Sequence, residues 1–499
     1  MSNRLLSRAI ALMSLVLVAA VFVSACAQSQ PGSSPTGAGA GQETQGGPVT
    51  IEYWDWWVTQ GPTIDNEIKL FEQKYPNIKI HKTTQVVDKY PELFQLAVKG
   101  GNAPDVFLIP QKPSFQDQVK LGWYLPLNKY ATPEWQAKFP KGSFVEGDDV
   151  INGNIYTAPF DGPAPWLQLY INTKVFKDAG LVDANGNVLV PKTWDDVRAF
   201  AKTITQKSGG KVSGYGFGDK QKFVLPWQMM MVQNSGGVGG TSGFDARVGK
   251  YVWADNPVYV EWIKFFMAMK QDGSIIPNAM SMDDEMARAA FADGQFGMLV
   301  GGVWNQSGWE KTNPDFKDYM VVALPHNGKQ QTSYFYSSPG RGDGTGFGIS
   351  AQTKHPYEAW LWFSWLNSPE AAARWVQAGQ GLRIFPKANN PEYAKTPQFR
   401  QYMEIAQQGV RIGPAQSLLH PEMTQVKEQQ TLPDIQAILE GIYSGQITDY
   451  QAALKDLQNR QNAELARAIQ DAQSRGVRVD PSWWKVTGWD PTKDYLPAQ

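Results

Sequence analysis

The chain reads as an α/β protein built of more than one lobe, and three observations say so. From Val49 to Ile109 the hydrophobic period alternates between strand-like and helix-like, the pattern of a parallel sheet with helical crossovers. A length of 499 residues exceeds one ordinary domain and suggests two to four lobes, without solenoid or propeller repeats. Past the N-terminal leader no apolar run approaches the ~18 residues that a membrane-spanning helix requires.

The elements follow in order. Arg4 and Arg8 precede an apolar run from Ala9 to Val23, and Val23-Ser24-Ala25-Cys26 closes it. Small residues suit a signal peptidase and a thiol suits lipid transfer, so residues 1–26 are expected to be a lipoprotein signal with Cys26 as the lipidated residue. Cys26 is the only cysteine, which removes any internal disulfide as its alternative use. Residues 27–48 are rich in Gly, Ser, Pro, Thr and Gln and read as a flexible tether. Val49 to Tyr53 alternates apolar and polar side chains, as a half-buried strand does. Ile64, Ile68 and Phe71 keep helical spacing up to Tyr75-Pro76, and Ile78 to Ile80 is a second strand. Leu93, Leu96 and Ala97 mark a helix ending at Gly100-Gly101, and Asp105 to Ile109 is a third strand. Thr193 is placed to cap a helix through Trp194, Val197, Phe200 and Ala201, with Asp195 and Asp196 in its first turn. Further helices are expected over 258–270, 284–292, 356–366 and 369–377, the last capped by Ser368. A long helix through Ala453, Leu457, Leu465 and Ile469 stops at Gly476, before a tail carrying Trp483, Trp484 and Trp489.

Composition narrows the function. Lys plus Arg number 46 against 47 Asp plus Glu, a formal net charge of −1, which disfavours nucleic acid as a partner. Trp is abundant, 19 residues, and several tryptophans sit in Gly/Pro/Asp-rich loops where a core role is weaker. Flat rings with an N–H at the edge suit ligands with apolar faces and hydroxyl rims, as sugars have. Open α/β sheets bind ligands beyond the C-terminal ends of their strands. Those ends carry Trp54-Asp55-Trp56-Trp57 and Pro110-Gln111-Lys112, so Asp55, Trp56, Trp57 and Gln111 are candidate ligand contacts. Packing under a loop is the alternative for each tryptophan.

Four segments then resemble the extracellular solute-binding proteins of bacterial ABC importers, the group that includes the maltose- and oligosaccharide-binding proteins. They are Asn152 to Pro159 followed by Leu169 to Phe176, with Ile171 where a second tyrosine is usual; Pro191 to Asp196; Ala290 to Met298 with Gly301-Gly302-Val303-Trp304; and Gly346 to Gln380. The resemblance implies a two-lobed periplasmic-binding-protein-like fold of type II, closing by hinge bending on a ligand held between the lobes. It further implies lobe 1 over residues 49–160 and 321–366, lobe 2 over 161–320 and 367–476, and a tail 477–499 packing on lobe 2. Asp161 to Pro165 becomes a hinge crossing, with Asp161 and Trp166 as candidate cleft residues. Trp304 stands where maltose-binding relatives stack a sugar, and Gly301 and Gly302 would let the backbone approach a ligand. Arg341 and Asp343 in the glycine-rich stretch 340–346, and Arg383 in a cleft-facing position, complete the candidates. For Asp55 and Asp161 a turn cap, and for Arg383 a structural salt bridge, is the competing reading.

Metal and catalysis find no support. His81, His326, His355 and His420 lack zinc-ligand spacing. Asp183 to Asn187 has its glycine out of place for a calcium loop and Trp194 where the final Glu would stand, and it reads as a hairpin turn at Asn185-Gly186. No cofactor is expected. The expectation is a monomeric lipoprotein on the outer face of the cell membrane that captures a carbohydrate, an oligosaccharide above all, and passes it to an ABC permease. The rivals are the same fold carrying a polyol phosphate or peptide, and a secreted glycoside hydrolase or lyase, which would need two carboxylates across a scissile bond.

Overall fold

The computed structural model describes residues 47–329, 334–337 and 346–495; Cys26, Arg341 and Asp343 lie outside them. Among the described residues, two four-stranded sheets organise the chain. The first is built from β1 (Val49–Asp55), β2 (Ile78–Thr84), β3 (Val106–Leu108) and a strand that arrives much later in sequence. Its early crossovers are α1 (Gly61–Lys74) and α2 (Tyr90–Lys99), and α3 (Phe115–Lys120) follows β3. β1 pairs in parallel with both β2 and β3, as the alternation of strand and helix predicts. Along β1 the buried side chains are Ile51, Tyr53 and Asp55, the period of two expected of a strand with one covered face. On α2 the faces differ from the sequence reading. Tyr90 and Phe94 are buried, whereas Leu93 and Leu96 are exposed.

The second sheet comprises β4 (Gln168–Asn172), β5 (Ser213–Gly216), β6 (Phe296–Gly301) and β7 (Tyr319–Val322), in the order β7-β4-β6-β5. Between them run α4 (Trp194–Lys207), α5 (Val224–Gln228), α6 (Val258–Gln271), α7 (Asp284–Ala292) and α8 (Trp304–Thr312). α4 begins with a full capping box, Thr193 Oγ1 accepting from Asp196 N–H at 3.1 Å while the Asp196 carboxylate accepts from Thr193 N–H at 2.9 Å. The chain then returns to the first sheet through β8 (Phe347–Ile349), antiparallel to β3. α9 (Pro356–Leu366) packs on that sheet, and α10 (Pro369–Gln377) starts from a Ser368 cap that accepts from Ala371 N–H at 3.1 Å.

Two details shift the lobe boundaries read from sequence. Val321 and Val322 pair with β4 in the second sheet, so the return falls beyond them. α10 belongs with the first lobe: Arg374 donates to Glu67 of α1 from Nε at 2.7 Å and Nη2 at 2.6 Å, and Trp375 meets the Trp57 ring at 4.9 Å. The remaining chain packs on the second lobe. α11 (Pro397–Gly409) covers β7, and α12 (Tyr450–Ser474) lies against α6. The tail follows α12, with Trp484 buried among Leu465, Ile469, Ala472 and Val479. At the turn of Asn185-Gly186, Gly186 takes φ 81°, a backbone region open to glycine without steric cost.

Candidate functional site

The loop leaving β1 carries three of the sequence candidates, and the structure separates them. Asp55 is fully buried. Its Oδ1 accepts from Trp57 N–H at 3.3 Å, so it braces the loop. Desolvation raises its pKa, opposed by the Thr84 hydroxyl, the Lys82 charge, the Tyr53 hydroxyl and the Trp57 N–H. Trp57 is also interior, 7% exposed, with its ring against Phe160, Phe347 and Trp375 at 5.5, 5.5 and 4.9 Å. Both are interior: rings from the hinge, β8 and α10 close over Trp57, and Asp55 faces Tyr53, Lys82 and Thr84. Trp56 stays half-buried, edge-on to Tyr90 at 4.9 Å. Gln111 lies exposed just beyond β3.

The first crossing between lobes is a short two-stranded joint. Asp161 and Arg383 form an antiparallel bridge, Ile384 N–H donates to Phe160 O at 3.1 Å, and Gly162 N–H donates to Leu382 O at 3.2 Å. The two segments lie so close that a Cβ on Gly162 would meet the Arg383 carbonyl carbon at 2.8 Å. Arg383 is 1% exposed, its guanidinium 3.1 Å from the Phe160 ring centroid and its Nη2 donating to Leu366 O at 3.3 Å. Burial lowers its pKa, and the Asp161 and Glu67 carboxylates oppose that. Arg383 is thus a strut of the hinge rather than a cleft residue, and half-buried Asp161 is the charge that accompanies it.

Beyond the hinge the second lobe presents a row of aromatic rings. Trp166, 38% exposed, stands edge-on to Trp227 at 5.5 Å. Trp227 stands edge-on to Trp304 at 5.7 Å and tilts against Phe223 at 5.1 Å. Trp227, Trp304 and Phe223 are each half-buried. Hinge loop, α5 and α8 each supply one tryptophan, so two candidates far apart in sequence meet through a third that sequence reading missed. Trp227 sits in the apolar run Val224-Leu225-Pro226-Trp227, which lacks the Gly and Asp residues that drew attention to the others.

The glycines before Trp304 have a different task from the one expected. A Cβ on Gly302 would fall within the Trp304 ring, and one on Gly301 would fall on the Asn305 amide. They make room for the chain's own side chains and so fix the ring's seat. Asn305 is 1% exposed and Gln168 fully buried, and both Asn305 amide atoms and Gln168 Oε1 are without a hydrogen-bond partner. Gln168 pairs with Gly301 across β4 and β6, the glycine whose Cβ position the Asn305 amide fills.

The lobes meet beside this row. Lys311 Nζ on α8 donates to Val58 O at 3.2 Å, and a Cβ on Gly308 would touch the Thr59 methyl at 3.3 Å. Contact between the Trp56–Gln60 loop and α8 brings half-buried Trp56 and Trp304 onto facing segments.

Residues 55–373 match the model of a bacterial extracellular solute-binding protein. An uncharacterized ABC transporter extracellular-binding protein of Pyrococcus horikoshii is 24% identical over 373 residues, 72% of this chain and 77% of that protein. A multiple sugar-binding protein of Streptococcus mutans is 24% identical over 371 residues, 73% of this chain and 80% of that one. The crystal structure of an ABC transporter solute-binding protein from Thermotoga lettingae, bound with α-D-tagatose, superposes with a TM-score of 0.64 at 21% identity, covering 83% of this chain and 99% of that chain.

Proposed function

Since the chain belongs to the bacterial extracellular solute-binding protein family, we propose that it captures a carbohydrate between its lobes and delivers it unaltered to an ABC permease. The observation that carries this reading is the row Trp166–Trp227–Trp304, three rings in edge contact that keep part of their surface open. Rings in such a row give a faceted apolar support on which sugar rings can stack one at a time, and each stacking contact adds about 0.5–1.5 kcal/mol beyond area burial. The sugar-binding name of the Streptococcus relative and the tagatose held by the Thermotoga structure agree with this assignment.

In this reading the first lobe contributes Trp56 and Gln111, and the second contributes Trp166, Trp227 and Trp304. Arg341 and Asp343 are proposed to join them from the glycine-rich stretch, and Cys26 to hold the monomeric protein at the outer face of the membrane by its lipid. Closure is favoured by ligand because only the closed state offers contacts from both lobes. Native mass spectrometry of the freshly purified protein, followed by calorimetry with the sugar it retains, tests the assignment. A saccharide that binds at about micromolar affinity and leaves unchanged is the expected result. A peptide or phosphate in its place, or turnover abolished by one Asp or Glu substitution, would overturn it.

A further inference from the structure

After α11 the chain forms a short strand, Val410–Ile412, then runs irregularly to a helix over Ile435–Ser444. Between them, residues 413–433 lie on the second lobe and reach across to touch the first. Their attachment to the second lobe is firm. Gln429 N–H donates to Glu464 of α12 at 2.6 Å, Arg475 Nη2 to Gln425 O at 2.9 Å, and Arg467 Nη2 to Lys427 O at 3.3 Å. Tyr251 donates its hydroxyl to Glu428 at 2.9 Å. The His420 ring stacks on Trp483 of the tail at 4.1 Å, with planes 4° apart.

The attachment to the first lobe is slight. Lys427 Nζ lies 3.3 Å from Asp117 Oδ1 and 3.5 Å from Ser114 Oγ. The Thr424 methyl lies where a Cβ on Gly147 would come within 2.7 Å of it. Gln116 Nε2 donates to Gly147 O at 2.7 Å, so α3 and the Gly147 turn form one patch. In sequence α3 follows shortly after Gln111, beyond the C-terminal end of β3.

We propose that residues 413–433 are a strap rooted on the second lobe that latches the closed state by catching α3 of the first lobe through Lys427. A firm base with a weak catch is what a latch needs, since the catch must release each time the lobes part. The inference rests on hinge closure as proposed above. Because the ion pair is well exposed, 35% and 41%, breaking it should shift the closed-to-open ratio by about 1.4- to 5-fold, and salt should weaken it.

Single-molecule energy transfer on the full chain tests this, with Cys26→Ser and dyes at Leu96→Cys on α2 and Lys207→Cys on α4. Without saccharide, Lys427→Glu should lower the closed-to-open ratio at least about twofold. The swap Lys427→Asp with Asp117→Lys should restore it, and 1 M salt should erase the difference. Two interconverting distances whose ratio is the same in Lys427→Glu, or a swap that restores nothing, would overturn the strap and leave hinge closure standing. A single interlobe distance unmoved by any of maltotriose, raffinose and xylotriose would overturn both.

Discussion

Replacing Trp304 by alanine should cost this protein most of its affinity for sugar while leaving its fold intact. The ring is half-buried against Gly302 and Trp227, and a large aromatic buries 150–250 Å² in full, so roughly 100 Å² remains for a ligand. At about 25 cal/mol per Å² that face is worth about 2.5 kcal/mol. Stacking geometry adds to this, and relaxation of Trp227 into the space subtracts from it. A net loss of about 2–3 kcal/mol corresponds to a Kd raised about 30- to 150-fold. The assay is isothermal titration with the sugar found by mass spectrometry, beside urea unfolding of the same samples. Trp304→Phe, which keeps a smaller ring in the seat, should recover most of the loss. A Trp304→Ala protein that binds within threefold of the parent, with an unchanged unfolding midpoint, would refute the role of the aromatic row.

Three further outcomes follow from the geometry. Gly162→Ala places a methyl against the Arg383 backbone, a clash no rotamer relieves; the variant should lose about 3 kcal/mol in urea unfolding, and its absence would show the hinge segments to be free to part. Glu67→Ala removes the carboxylate that holds Arg374 and accepts from Trp365 Nε1 at 2.8 Å. Glu67 is 3% exposed but Arg374 27%, so the loss should sit at the low end for broken buried pairs, about 3 kcal/mol, read as a fall in urea midpoint without a change in Kd. Asp55 has a folded-state pKa raised by burial. Its contribution to stability is therefore fully present below the unfolded value near 3.8 and lost as pH rises through the folded value. Asp55→Asn, which keeps the bond from Trp57 N–H, should be more stable than the parent at pH 7 and no more stable at pH 3.5, measured by urea midpoints across that range.

Much of the architecture was legible because it is locally encoded. Thr193 and Ser368 cap the helices they were expected to cap, and the helix over Asp284–Ala292 has the expected ends. Caps and periods act over a few residues, so sequence displays them directly. What long-range packing decides was hidden. Trp56 and Trp57 are neighbours with the same chemistry, yet one keeps an open face and the other is enclosed by Phe160, Phe347 and Trp375. No local signal distinguishes them, because the enclosing rings come from the hinge, β8 and α10. Arg383 was hidden for the same reason: its cleft-like context in sequence says nothing of the Phe160 ring that covers it. Trp227 was missed because an apolar run around a tryptophan looks like core, and only the folded chain sets it between Trp166 and Trp304.

The balance between these contacts says which of them governs closure. Among the described residues, lobe-to-lobe contacts near the aromatic row include an exposed lysine on the Val58 carbonyl and a methyl beside Gly308, and at the far edge an exposed ion pair with the Thr424 methyl beside Gly147. Exposed pairs contribute about 0–1 kcal/mol each, so together they tilt the equilibrium without fixing it. Under the proposed function, a ligand face on Trp304 worth about 2–3 kcal/mol, matched by contacts from Trp56 and Gln111 only when the lobes close, would outweigh them. The paired segments at Gly162 and Arg383 are tightly packed and hydrogen-bonded, so they act as a stiff pivot whose bending falls in the flanking chain, at Pro163 to Pro165 on one side. Under the proposed function, a stiff pivot with weak interlobe contacts makes the bound solute the main determinant of the closed state, so that a permease prising the lobes apart would release the cargo.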